Sequence, residues 1–176
     1  MRTFIALEIP DLMRWEVAEF ARQLEKHVNG RFITPDNYHV TLAFLGDVAE
    51  RDIALAVDVL ESACADRPAP LLSCDGLGKF GNANDATLWL GLATTDALAD
   101  FAETVRDDLA ARDISFDEKP FRPHITIARR ASISKAALPP LPFPESAHAC
   151  AATLFKSELD SDGAIYMPIH SVNLGD

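Results

Sequence analysis

Two short stretches of the chain repeat one pattern: residues 38–44 read YHVTLAF and residues 123–129 read PHITIAR. The second histidine follows the first by 85 positions. Both stretches are rich in β-branched and aliphatic residues, which favour strands. Because side chains alternate along a strand, each stretch is predicted to place its polar pair and one alanine on one side, opposite an apolar face. The apolar face of the first strand includes Phe44, and that of the second includes Ile125 and Ile127. The predicted polar faces are His39, Thr41 and Ala43 in the first strand, and His124, Thr126 and Ala128 in the second.

The repeat extends beyond these two strands. A predicted strand and an amphipathic helix with one apolar stripe precede each histidine, at an offset of 84 residues. The predicted elements are strands at 3–9 and 87–93, and helices at roughly 11–29 and 95–112. A strand–helix–strand unit therefore occurs at about residues 3–45 and again at 87–129. We predict one bilobal domain over residues 1–176 with this internal duplication.

The remaining segments complete an α+β chain. Their pattern predicts a helix at 49–65, a strand at 70–79 leading into a turn at Gly78 and Gly81–Asn82, a weak helical patch near 133–137, and strands at 147–159 and 164–173 joined by a turn at 160–163. Asp11, and either Thr95 or Asp96, are predicted helix N-caps. The predicted fold is two pseudo-symmetric lobes of antiparallel sheet, with flanking helices, around a central cleft.

Composition limits the partners. The net charge is −11, from 16 basic and 27 acidic residues, which disfavours binding of long nucleic acid over a broad basic surface. A small anionic ligand or an RNA 3′ end needs only a local positive site. The opening residues carry no signal-peptide pattern, no apolar run is long enough to span a membrane, and three cysteines form no disulfide or CxxC pattern. We therefore expect a cytoplasmic monomer without membrane association.

The paired histidines suit a reaction that needs two proton transfers. Opening a 2′,3′-cyclic phosphate requires one group to accept a proton from water and another to donate a proton to the leaving ribose oxygen. Histidine can do either near neutral pH. Threonine hydroxyls can donate hydrogen bonds to the non-bridging phosphate oxygens. Because no metal-binding pattern such as HExxH is present, we predict no metal or other cofactor.

Other candidates are weaker. The remaining histidines are scattered, and scattered histidines are usually surface or edge residues. They are His27, His148 and His170. Aromatic side chains could stack on a nucleobase, although core packing is the commoner role of each. The candidates for stacking are Phe80, Phe121 and Tyr166.

The sequence resembles the two-histidine phosphoesterases, and among them the bacterial and archaeal RNA 2′,3′-cyclic phosphodiesterases once described as 2′-5′ RNA ligases. The resemblance rests on HVTLAFLG at 39–46 and FRPHITIAR at 121–129. The opening MRTFIAL at 1–7 and the ending LFKSEL at 154–159, followed by Gly163 and Tyr166, add to it. It covers nearly the whole chain.

The resemblance implies hydrolysis of a terminal 2′,3′-cyclic phosphate to a 2′-phosphate by general acid–base catalysis. It makes His39 the donor to the leaving 3′ oxygen and His124 the acceptor that activates water, whereas the spacing alone does not distinguish these roles. Thr41 and Thr126 would hold the phosphate. The family pattern also points to Arg129 as a phosphate contact.

Strand alternation disagrees about this arginine, because it puts Arg122 and Arg130 on the face of His124 and Arg129 on the other. A twist or bulge at the strand end would reconcile the two. Arg129 is therefore predicted as the substrate-binding arginine, with Arg130 in reserve.

Two other functions remain open. The cleft could be a binding module that holds a nucleotide or RNA end without turnover, although binding alone does not call for two titratable groups. The same chemistry could also act on a cyclic ADP-ribose phosphate or on 2′-5′ oligonucleotides. Joining RNA ends would be a side activity by microscopic reversibility, because the chain has no adenylation motif to drive ligation.

Overall fold

The computed structural model describes residues 1–133, 138 and 140–175. Of the predicted helical patch near 133–137, all but the first residue lie outside the described residues. The helices are α1 (Asp11–Glu25), α2 (Glu50–Cys64) and α3 (Asp96–Ala111), with a short 3-10 turn at Pro35–Asn37. The strands are β1 (Arg2–Glu8), β2 (Val28–Phe32), β3 (Val40–Asp47), β4 (Leu71–Leu72), β5 (Cys74–Asn82), β6 (Asp85–Leu92), β7 (His124–Ile133), β8 (Ala147–His148), β9 (Ala151–Asp160) and β10 (Gly163–Asn173).

Two four-stranded sheets form the framework of the molecule. The first sheet has the order β10-β9-β1-β3, the second has the order β2-β7-β6-β5, and β4 pairs with β8 apart from both. Neighbouring strands are antiparallel. The predicted α+β class with two antiparallel lobes is confirmed. Strand β3, which follows His39, lies in the first sheet, while β7, which begins at His124, lies in the second.

Strand β2, near the start of the chain, lies in the second sheet. The predicted helix over 11–29 ends at Glu25, and Val28, which fits its apolar stripe, instead begins β2 and pairs with β7. Gly30 permits this pairing, because a Cβ at this position would lie only 3.0 Å from the Cα of Ala131. The helical prediction for the last residues was wrong because strand pairing with a distant segment outweighs a local apolar period.

The helices cover the sheets with apolar stripes. The buried stripe of α1 is Met13, Val17, Phe20, Ala21 and Leu24, and that of α3 is Leu98, Phe101, Ala102, Val105 and Leu109. Thr95 caps α3 by accepting the backbone N–H of Leu98 at 3.2 Å, as predicted. The predicted cap at Asp11 was wrong: Asp11 is the first helical residue, and Pro10 before it makes no side-chain cap. None of the helices in the described part of the chain combines the length and apolarity needed to cross a bilayer.

Strands β3 and β7 each contain a bulge directly after the threonine. One step along the neighbouring strand corresponds to two steps along the bulged strand, so the following residues change sides. As a result Ala43 and Ala128 point into the core and are fully buried, contrary to prediction. The register pairs are Ala6 with Thr41, Ile5 with Ala43, Trp89 with Thr126, and Leu88 with Ala128.

The two predicted hairpins differ in accuracy. The hairpin of β9 and β10, with its turn between Asp160 and Gly163, is confirmed. The predicted turn at Gly78 was wrong, because β5 continues to Asn82. The turn predicted at Gly81–Asn82 is present directly after Asn82, whose side-chain oxygen accepts the backbone N–H groups of Asn84 and Asp85. Glycine inside a strand marks a close approach as often as a turn.

At Gly78 the close approach is to an indole ring. Gly78 lies opposite Trp89 in the register of β5 and β6, and a Cβ built on Gly78 would overlap the Trp89 ring. The ring of Trp89 in turn lies 5.7 Å from the ring of His124, measured between centroids. The glycine therefore provides the flat surface on which this indole rests beside the histidine.

We expect Gly78→Ala to lower the free energy of unfolding by about 1–3 kcal/mol, because the added methyl group must displace the indole. Urea denaturation measures this cost. In a Trp89→Leu background the same substitution should cost much less, since the overlapping ring atoms are gone. An equal cost in both backgrounds would contradict the assigned contact.

Candidate active site

The first histidine is held by a backbone carbonyl. The Nδ1 atom of His39 lies 2.7 Å from the carbonyl oxygen of Asn37, in the short turn before β3. A carbonyl oxygen only accepts hydrogen bonds, so Nδ1 carries the hydrogen and Nε2 of the neutral ring is an acceptor. The Thr41 hydroxyl lies 3.1 Å from Nε2 and donates to it. His39 and Thr41 thus share one side of the strand, as alternation predicts.

The second histidine repeats this arrangement. The Nδ1 atom of His124 lies 2.6 Å from the carbonyl oxygen of Arg122 and donates its hydrogen to it. The acceptor again lies two residues before the histidine. Nε2 of His124 is left available for a ligand. Gly91 lies opposite His124 in the sheet and Trp89 lies opposite Thr126. The glycine presents no side chain that would crowd the imidazole.

The two imidazoles belong to segments of different sheets. Strands β3 and β7 contact each other. The pKa of His39 is lowered to about 4, mainly by burial; the hydrogen bond to Asn37 opposes the shift, and the charges of His124 and Arg129 add to it. Burial also lowers the pKa of His124, and Arg129 and Arg122 add to that effect. Both rings are therefore neutral at pH 7 in the free protein.

Arg129 is the arginine whose charge reaches both histidines. Its positive charge lowers the pKa of His39 and of His124. The bulge explains this placement, because Ile127 and Ala128 are both buried and Arg129 returns to the side of His124. A second register shift follows, where Arg130 adopts a φ of 50°. Arg130 is not among the charges that shift either histidine.

Aromatic rings line the site beside each histidine. On the first sheet, the ring centroids of Phe4 and Tyr166 lie 4.9 and 5.3 Å from that of His39. On the second, Phe80 lies 5.4 Å from His124 with an edge-to-face geometry, and the guanidinium of Arg122 lies over the Phe80 ring. Of the predicted stacking residues, Phe80 and Tyr166 lie at the site.

Two other aromatic residues differ from their predicted positions. Phe44 lies opposite Phe4 in the register and therefore on the side of His39, not on the apolar face, because of the bulge after Thr41. Phe121 lies away from the histidines, where the guanidinium of Arg106 is 5.8 Å from its ring centroid. These positions depend on strand register, which the local sequence pattern does not encode.

A half-buried arginine that no sequence pattern singles out joins the two histidine-bearing segments. Arg106 on α3 donates from Nε to the carbonyl of Leu42 at 3.1 Å and from Nη1 to the carbonyl of Lys119 at 2.7 Å. Leu42 belongs to β3, and Lys119 lies in the loop before β7. The backbone N–H of Asp117 also donates to the carbonyl of Phe44 at 2.8 Å. These bonds fix the loop that leads into His124 against the strand that carries Thr41.

The polar side chains at the site are those expected for acid–base chemistry. In the described ranges, no group of three or more His, Cys, Asp or Glu side chains is placed to hold a metal ion. The site instead presents two imidazole Nε2 atoms, two threonine hydroxyls and a guanidinium. Such a set can bind an anion and move protons to and from it.

Comparison with known proteins identifies the family. The family model of the 2′-5′ RNA ligase superfamily matches residues 14–159. The Escherichia coli K12 protein named RNA 2′,3′-cyclic phosphodiesterase is 30% identical over 170 residues, covering 96% of this chain and 93% of the relative. The Thermotoga maritima protein of the same name is 34% identical over 131 residues, covering 73% of this chain and 70% of the relative.

Solved structures agree with the sequence relatives. E. coli LigT in its apo form superposes with a TM-score of 0.81 at 29% identity, covering 99% of this chain and 98% of that chain. A Thermus thermophilus protein superposes with a TM-score of 0.80 at 25% identity over the full length of both chains. With the matched family model and relatives at this identity, the chain belongs to the 2′-5′ RNA ligase superfamily.

Proposed function

We propose that this protein is an RNA 2′,3′-cyclic phosphodiesterase that hydrolyses a terminal 2′,3′-cyclic phosphate to a 2′-phosphate. The observation that carries the proposal is the pair of imidazoles from opposite sheets. Each is anchored through Nδ1 to a carbonyl two residues earlier, so that Nε2 is the ring atom that can exchange a proton with substrate; in His39 it is bonded to the Thr41 hydroxyl in the free protein. Relatives named RNA 2′,3′-cyclic phosphodiesterase support the same reaction.

The proposed reaction is an in-line attack at phosphorus. One Nε2 accepts a proton from the attacking water, whose oxygen bonds to phosphorus. The bond from phosphorus to the ribose 3′ oxygen then breaks, and the other Nε2 donates a proton to that oxygen. We propose His39 as the donor and His124 as the acceptor, following the family resemblance. Arg129 compensates the negative charge of the phosphate oxygens.

Thr41 contributes in a way that depends on the protonation of His39. In the neutral ring its hydroxyl donates to Nε2. Once Nε2 is protonated it is no longer an acceptor, and the hydroxyl is released to donate to a phosphate oxygen. We propose that the Thr126 hydroxyl, beside His124, also donates to a phosphate oxygen.

The proposed ligands are RNA 3′ ends and small cyclic nucleotides. Structures of E. coli LigT have been solved with 3′-AMP, with ATP and with NADP+. These are small nucleotides, which agrees with a short anionic contact in a chain of net charge −11. We propose that the protein acts as a cytoplasmic monomer, without metal or cofactor.

Replacing either histidine tests the reaction. We expect His39→Ala and His124→Ala each to lower kcat on a 2′,3′-cyclic nucleotide by roughly 10²–10⁴-fold, since each removes one proton transfer. Turnover in wild type should persist in EDTA, with the product identified as a 2′-phosphate by NMR. His27→Ala, in an exposed turn after α1, is the matched control and should retain full activity. Loss of wild-type turnover on chelation would exclude the proposed mechanism.

A sulfur leaving group separates the two roles. A substrate with sulfur at the bridging 3′ position expels a thiolate, which needs little protonation because thiol pKa values lie near 8.5, far below those of alcohols. We expect this substrate to reduce the defect of His39→Ala at least tenfold, on the order of magnitude that general acid catalysis provides. The defect of His124→Ala should persist. Rescue of His124→Ala instead would reverse the assignment.

The pH dependence follows from the lowered pKa values. The acid must be protonated and the base neutral, so kcat/KM is bell-shaped in pH. Because the pKa values of both free histidines lie below the ordinary 6.5, we expect the optimum of kcat/KM below pH 6.5. A bound phosphate anion favours the protonated rings, which should move the optimum of kcat to higher pH.

Removing the positive charge of Arg129 should shift the pH dependence of kcat/KM. Arg129→Gln is expected to raise both histidine pKa values and move the alkaline limb of kcat/KM to higher pH, besides lowering activity. Arg130→Gln, which removes the neighbouring charge, is the control and should leave the limb in place. A shift in the control and none in Arg129→Gln would show that the wrong arginine has been placed at the phosphate.

A further inference from the structure

Two arginines lie side by side at the edge of the site. Arg31 on β2 and Arg129 on β7 are directly opposite each other in the antiparallel register. Directly opposed residues point to the same face of a sheet, with Cα atoms about 5 Å apart. Both side chains are exposed. The pair therefore presents two guanidinium groups on the face that carries His124.

This pairing carries an electrostatic cost that no salt bridge among the described residues offsets. Like charges directly opposite on neighbouring strands destabilise a sheet. Across the described ranges, neither guanidinium forms a salt bridge with a carboxylate. The chain has 27 acidic residues against 16 basic ones, so carboxylates are abundant elsewhere. An unpaired double positive charge in such a chain favours an anionic ligand.

The side chain of Arg31 lies next to the hairpin turn of the first sheet. A Cβ built on Gly163 would lie 3.8 Å from the guanidinium carbon of Arg31. Gly163 begins β10 of the first sheet, so the Arg31 side chain extends from the second sheet to the hairpin turn of the first. Beside it, the Asn37 side chain donates to the carbonyl of Ala164 at 2.9 Å. The hairpin turn is thus fixed next to Arg31 and next to the turn that orients His39.

We propose that Arg31 and Arg129 form a subsite for two successive phosphate groups of one nucleotide chain, which rests on the proposed function above. Arg129, whose charge reaches both imidazoles, faces the cyclic phosphate. Arg31, which is not among the charges that shift either histidine, binds the phosphate on the 5′ side of the terminal nucleoside. Arginine suits this role because its planar fork matches phosphate oxygens. The substrate class is therefore a cyclic-phosphate end that carries a second phosphate.

Three adenosine substrates test the subsite: a 2′,3′-cyclic phosphate with a free 5′ hydroxyl, the same compound with a 5′-phosphate, and a dinucleotide ending in the cyclic phosphate. We expect Arg31→Gln to lower kcat/KM about tenfold on both substrates that carry a second phosphate, the size expected for a lost charge-assisted hydrogen bond. Activity on the first substrate should change less than about twofold, since that compound does not reach Arg31. If Arg31→Gln lowered kcat/KM on the dinucleotide but not on the compound with a 5′-phosphate, the subsite would bind an internal phosphodiester and not a terminal phosphate.

A matched control and a binding measurement complete the test. Arg51→Gln removes the same charge from an exposed position on α2 and should leave all three kcat/KM values unchanged. For a dinucleotide ending in a 2′-phosphate, the slope of log Kd against log salt concentration should fall by about 0.7 in Arg31→Gln, the value for one phosphate contact on a single strand.

Equal defects on all three substrates, or none, would overturn the subsite. Failure of the proposed function is a different result: wild type would hydrolyse none of the three substrates, while the Kd measurement on the dinucleotide would still report whether Arg31 contacts a second phosphate.

Discussion

One extra residue after each threonine determines which side chains face the cleft. The bulge that follows Thr41 in β3 recurs after Thr126 in β7. Each bulge moves the residues that follow it to the opposite face of the sheet. Phe44 and Arg129 therefore lie on the face of the histidines, while Ala43 and Ala128 point into the core. Without these bulges the guanidinium whose charge reaches both imidazoles would point the other way. The matching bulges are consistent with the predicted internal duplication, which stays a prediction.

Strand alternation and helical periodicity predicted most of the framework from sequence. They placed His39 with Thr41 and His124 with Thr126, and they predicted α2 and α3 to within a residue or two. They failed where a distant segment decides the structure. Val28 fits the apolar stripe of α1, yet it begins a strand because β7, about a hundred residues later, offers a partner. A local pattern contains no information about that partner.

The resemblance and the residue pattern disagreed about Arg129, and the difference has a physical origin. Alternation counts residues, whereas a bulge adds one residue without adding a step along the neighbouring strand. The family motif already contains that extra residue, and the charge of Arg129 does lower the pKa of both histidines, while its contact with phosphate stays a prediction. The hydrogen bonds from the two histidines to the carbonyls of Asn37 and Arg122 could not be predicted from sequence either. Every residue has a backbone carbonyl, so no residue type marks the one that a histidine will bond to.

The exchange of strands between the two halves of the chain has a consequence for biosynthesis. Strand β1, at residues 2–8, obtains one of its two neighbours only from β9, at residues 151–160, and the opposite edge of that sheet is β10. During translation the first sheet therefore cannot form completely until residues 151–160 have left the ribosome. Contacts this distant in sequence also slow folding, because a long loop must close first. The nascent chain exposes apolar strand surface until the hairpin of β9 and β10 emerges. Chaperones therefore matter most for this protein before that hairpin has been synthesised.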